Sequence, residues 1–260
     1  MNRYKNILAE YHSGLKEFHT LIIQLTMNIK QDYGGLFTDR TQFSERLYEL
    51  SSSIQYRLLS VDWHLQNLCR EHAYSENKLK NHGIGKIDPR QHYLYFIFDD
   101  FIFNLISLYD YFGSYCYLAF IDHNEHKKMW SNLANAAGSQ NNSFSYCILG
   151  KEVFKHHRNW AKKLIDFRAE IIHYKLKTGG EKRKISITKV GETYHAKYQL
   201  MYSIPDDLVK LLKLENCKKN EVGIDLQFGA IEIGKKSILS FNKLTKIALT
   251  HCTKNKMRFS

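Results

Sequence analysis

YLYFIFDDFIFNLISLYDYFGSYCYLAFI, residues 93 to 121, decides the fold of this chain. Its length and apolar content suit either a membrane span or the central helix of a bundle. Asp99, Asp100 and Asp110 separate the two, because an acid near a bilayer centre costs about 2.5–3.5 kcal/mol on insertion scales. The stretch therefore reads as a helix buried on most sides and placed centrally in a bundle. A carboxylate inside such a bundle requires a partner on a neighbouring helix.

The flanking sequence supplies those neighbours. Tyr4, Ile7, Leu8, Tyr11, Leu15, Phe18, Ile22, Leu25 and Ile29 advance in steps of three and four, one apolar stripe on a long helix stopped by Gly34-Gly35. Asp39 with Gln42 forms a capping-box pattern ahead of a second stripe, Phe43, Leu47, Leu50, Ile54, Leu58, Val61, Leu65 and Leu68, fading near Lys80. Two such stripes across a short loop predict an antiparallel helical hairpin. Asp88-Pro89 opens the central helix. A shorter helix is expected over 125–137, a polar loop over 138–145, and one further helix from about Val153 to Lys177, ended by Gly179-Gly180.

After Lys184 the period changes. Ile185 to Thr188 and Tyr194 to Tyr198 alternate about Val190-Gly191-Glu192, a β-hairpin signal. A short helix from Pro205 to Leu214, a strand at Ile224 to Phe228 and helical spacing over Ser237 to Cys252 complete the reading. The expected fold is mainly α: an antiparallel multi-helix bundle over 1–180, with a small α+β extension over 181–260.

Composition narrows the classes. Two prolines in 260 residues favour long unbroken helices. The net charge of +12 favours polyanionic partners, although a basic composition alone marks no site. Five scattered cysteines, none in a C-x-x-C spacing, speak against a disulfide framework or a thiolate zinc site and suit a reducing cytoplasm. Asn2 to Lys16 is charged and amphipathic, without the apolar core of a secretory signal. No phosphate-binding glycine loop or G-x-S-x-G elbow is found.

Arg168-Ala-Glu-Ile-Ile-His173-Tyr174 carries the chemistry. Arginine offers a fixed fork of donors for phosphate, and histidine moves protons near neutral pH. Asp110, Glu170 and Tyr174 are candidate supports, with a carboxylate of the central helix expected to orient Arg168 across the seam. Lys182 and Arg183, with Lys175 and Lys177 upstream, form a basic run suited to an RNA backbone, which Arg158, ten residues before Arg168, is also placed to track.

A helical bundle with R-x4-6-H on its last core helix resembles the HEPN superfamily (higher eukaryotes and prokaryotes nucleotide-binding domains). The resemblance covers roughly residues 1–178 and rests on Arg168 and His173. It implies a metal-independent endoribonuclease without a cofactor, acting as a homodimer in toxin–antitoxin or antiviral defence systems, with an antitoxin or defence protein as a further partner. Arg168 would hold the scissile phosphate, His173 would act as general acid or base, and the product would be a 2′,3′-cyclic phosphate. Active members commonly carry a polar residue after the arginine, where this chain has Ala169.

Two other readings stand beside this one. A non-enzymatic module of the same fold would bind RNA or a protein through its basic face. Alternatively the R-x4-H spacing is accidental, with Arg168 paired to Asp110 and His173 a bundle-edge histidine. His156-His157-Arg158 reads as a solvated helical turn. His123 and His126 have i,i+3 spacing without a second ligand pair, which makes a metal site weak.

Overall fold

The computed structural model describes residues 2–33, 40–82, 91–125, 127–173, 181–190, 193–214 and 224–254. Eight helices are described: α1 (Asn2–Tyr33), α2 (Arg40–His82), α3 (Gln91–Phe120), α4 (Trp130–Gly138), α5 (Ile148–His156), α6 (Lys162–His173), α7 (Asp206–Leu212) and α8 (Leu226–Lys254). The Asp39 and Asp88-Pro89 caps and the Gly34-Gly35 and Gly179-Gly180 stops lie outside the described residues.

α1 buries Ile7, Tyr11, Leu15, Phe18, Ile22, Leu25 and Ile29, the stripe its spacing dictates. α2 buries its own stripe from Phe43 to Leu68, with Leu50 packed at the margin. The pairing departs from a simple hairpin: α1 lies chiefly along α8 and α2 along α3, while α1 and α2 meet over a shorter stretch. α3 buries residues on most of its circumference, among them Phe98, Phe101, Leu105, Tyr109, Phe112 and Tyr115. No helix among the described residues is long and apolar enough to cross a membrane.

The small α+β extension expected over 181–260 is overturned. The run Ile224 to Phe228 is no strand. Asp225 forms one isolated bridge to Ser203, and Leu226 begins the 29-residue α8. Apolar positions 224, 226 and 228 satisfy a period of two only locally. The longer sequence of buried Ala230, Ile231, Ile233, Ile238, Phe241, Leu244, Ala248 and Cys252 follows the helical period and prevails. The C-terminal residues thus complete a helical bundle. Among the described residues the strands are those of one two-stranded antiparallel ribbon, β1 (Glu181–Val190) and β2 (Thr193–Tyr202), pairing Glu181 with Tyr202 and Val190 with Thr193.

Other expectations shift. α4 begins at Trp130, later than Glu125. The polar stretch after Gly138 is a bonded turn: Asn142 Oδ1 accepts from Phe144 N at 2.9 Å, and residues 143–146 form a 3-10 turn. The single helix expected from Val153 is α5 and α6 joined by a π turn at His157–Ala161.

Aromatic rings tie the bundle where α1, α3 and α8 meet. Phe18 stacks on Phe241 at 5.2 Å, and Phe241 meets Tyr109 at 4.4 Å and Phe112 at 5.2 Å. Gly113 lets α4 start against α3, since a Cβ there would lie 2.5 Å from both Cα and N of Trp130. Backbone cannot yield as a side chain does. Gly113→Ala is therefore expected to destabilise the fold by about 1–3 kcal/mol. A urea-unfolding midpoint equal to that of the parent would contradict this packing.

Candidate phosphate-binding groove between α3 and α6

Phe103 and Asp110 lie seven residues apart on one face of α3, toward which α6 directs Arg168. The Arg168 guanidinium carbon sits 4.9 Å from the Phe103 ring centroid, a cation–π contact that fixes its plane. Nη1 stands 4.0 Å from Asp110 Oδ2, beyond hydrogen-bond reach, and the buried Nε makes no hydrogen bond. The two side chains are 31% and 27% exposed, so a ligand approaching from solvent can reach both. The expected central-helix carboxylate is thus Asp110. Asp99 lies half-buried beside the exposed Asp100, and no contact of either with Arg168 is observed.

Asp110 has a second task. Its Oδ1 accepts the backbone N–H of Trp130 at 3.4 Å, at the start of α4. Burial raises the Asp110 carboxyl above the usual carboxylate range, outweighing the Trp130 hydrogen bond and the Arg168 charge, which act the other way. Desolvation therefore dominates at this position.

Chain geometry places His173 at the C-terminal end of α6, about 7.5 Å along the axis and about 140° around it from Arg168. The His173 side chain, and all of Tyr174, Lys175 and Lys177, lie outside the described residues. Glu170 and Arg158 are exposed, the latter over the Phe154 ring at 5.8 Å. Lys182 and Arg183 occupy β1 opposite Met201 and Leu200, with side chains outside the described residues.

No known protein family, curated protein or solved structure matches the chain.

Sequence reasoning missed a cluster joined to Asp110 through Trp130. His156 and His157 do not form a solvated turn. The Tyr109 hydroxyl is 2.8 Å from His156 Nε2 with the rings stacked, and the Trp130 indole N–H donates to His157 Nδ1 at 3.1 Å. That donation leaves His157 Nδ1 unprotonated and fixes the neutral tautomer with its proton on Nε2. Trp160, within the π turn, donates to Ser237 Oγ at 2.9 Å. π turns widen a helix locally and often accompany functional sites. The available signal was three buried polar-tipped aromatics, Tyr109, Trp130 and Trp160, each requiring a partner. His123 turns Nδ1 to the Leu118 carbonyl, and His126 lies outside the described residues. Among the described residues no group of three ligating side chains is placed to hold a metal.

Burial, reinforced by His157 and Lys243 and opposed by Glu152, lowers His156 from its ordinary 6.5 to about 4. The unfolded chain therefore takes up this proton first. Stability from a neutral His156 is full above about pH 6.5, falls as pH drops toward 4, and then levels; the loss is on the order of 3 kcal/mol. Asp99, pushed up to about 6 by burial and by Asp100, acts with the opposite sign over part of that window. The difference between parent and His156→Asn isolates the histidine. Denaturant midpoints at pH 7.5 and 4.5 should drop less in that variant, and an equal drop in both chains would contradict the assignment.

Proposed function

We propose that the α3–α6 groove receives the phosphodiester backbone of RNA at Arg168, and that the chain is a metal-independent endoribonuclease of the HEPN type. The observation that supports this is the state of Arg168. Its plane is set by Phe103 and its charge faces Asp110, yet the separation of 4.0 Å leaves the fork unspent on that carboxylate. A phosphate offers charge-assisted hydrogen bonds that Asp110 does not make. In this reading Arg168 offsets charge growing on the phosphorus centre as the 2′-hydroxyl attacks, and His173 transfers the proton at the ribose oxygen or the leaving oxygen. Lys175, Lys177, Lys182 and Arg183 guide the strand, and two copies of the chain complete one cleft, in a toxin or defence setting.

The test is direct. The purified chain is incubated with single-stranded RNA in EDTA, and the ends are scored for 2′,3′-cyclic phosphate. Cleavage in EDTA with such ends supports the reading, and intact RNA overturns it.

Ala169, exposed beside Arg168, favours a second reading: a non-cleaving module that holds RNA or a protein through the same groove. Salt-sensitive RNA binding without cleavage, lost on charge reversal at Lys182 and Arg183, is the outcome that selects it.

A further inference from the structure

Away from Arg168, residues of α1 and α2 line a cavity of about 600 Å³. That lies within the size range of small-molecule sites. Its α1 wall carries His12, Lys16 and His19 on successive turns of one face. The α2 wall presents Asp62 and Gln66 one turn apart, with Gln66 Nε2 donating to Asp62 Oδ2 at 2.6 Å. Leu15 and Leu58, both buried, form the apolar floor between the walls.

Close-packed helix pairs fill such seams with side chains. Here the seam is open, and its walls differ in polarity: nitrogen donors on α1, a carboxylate acceptor on α2. His12 Nε2 and Asp62 Oδ1 are buried and face each other at 3.6 Å, and neither makes a hydrogen bond. The two stand at ion-pair distance only, and buried polar atoms without a hydrogen bond are costly in a folded protein. Burial raises the Asp62 carboxyl against the lowering effects of His12 and Gln66.

We propose that this cavity binds a small organic anion, an apolar ring bearing a carboxylate or phosphate at one end and a hydroxyl at the other. The anionic group meets Lys16 and His19, the ring covers Leu15 and Leu58, and the hydroxyl donates toward Asp62. The cavity shares no residue with the Arg168 groove, so it stands or falls independently of the nuclease reading.

Four probes test it by ligand-observed NMR on the full chain: 4-hydroxyphenylacetate, phenylacetate, tyrosol and phenyl phosphate. 4-Hydroxyphenylacetate should bind saturably. Phenylacetate, lacking the hydroxyl, and tyrosol, lacking the anion, should each bind about tenfold more weakly. Comparing phenyl phosphate with phenylacetate tells a phosphate source from a carboxylate source. Lys16 is exposed, so Lys16→Gln should leave the melting curve unchanged. It should weaken both acids about tenfold and leave tyrosol unaffected. Absence of saturable binding by any probe, or acid affinities indifferent to Lys16→Gln, overturns the proposal.

Discussion

His173→Ala is expected to lower RNA cleavage about 10²–10⁴-fold, the usual contribution of a positioned proton-transfer group. Arg168→Ala should lower it about 10²–10³-fold through lost stabilisation of developing charge. The two substitutions act on different links. His173 is the last residue of α6, and circular dichroism and a melting temperature near those of the parent are the control that His173→Ala still folds. Arg168 also contacts Phe103, so its removal costs about 0.5–1 kcal/mol of cation–π stabilisation besides activity. Arg168→Lys is the sharper control, because it keeps the charge and discards the planar fork. EDTA should leave all rates unchanged. Full cleavage by His173→Ala would remove the nuclease mechanism, whatever the RNA affinity.

Trp130→Ala is expected to produce the largest loss of stability, about 3–5 kcal/mol. Trp130 is fully buried at the start of α4, packs edge-on against Tyr109 at 5.1 Å and His156 at 5.8 Å, and donates to His157. Removing the indole opens a cavity and strands a half-buried imidazole nitrogen. Thermal unfolding should fall by roughly 2–4 °C per kcal/mol in a chain of this size. Trp130→Phe keeps most of the ring and loses only the donor, so its cost should be about 1–2 kcal/mol. Equal losses for the two variants would show that the hydrogen bond, and not the packing, governs. The same variants bear on the groove, because Asp110 accepts the Trp130 backbone N–H and faces Arg168. On the proposed RNA reading, Trp130→Ala should therefore also weaken binding at Arg168.

The helices of α1 and α2 were legible because each buries one face. A stripe at steps of three and four is a local property of the chain, and Ile7 to Ile29 keep it throughout. α3 was legible as central because it is apolar nearly all round. Within the site, the carboxylate opposite Arg168 could be narrowed to the acids of α3. Asp110 stands among them as a candidate support and as a partner for Arg168; the 4.0 Å separation of the two needed the rotation of α3 against α6, which no local pattern encodes.

The misreadings share a physical cause. Ile224 to Phe228 satisfies the strand period over five residues, and only its junction with a longer helical stripe shows the better burial. His156 and His157 look like a solvated turn because their partners, Tyr109 and Trp130, lie 47 and 27 residues away. The π turn is equally silent in sequence, and Trp160 within it reaches Ser237 on α8, 77 residues away.

The sequence by itself determined the mainly helical class, the buried stripes and the basic charge, since these follow from residue period and composition. Tertiary structure alone decided that α8 lies along α1, how closely Asp110 approaches Arg168, and that His156 and His157 bond to Tyr109 and Trp130. Those outcomes depend on which long-range surfaces bury one another, a competition settled by packing across the whole chain.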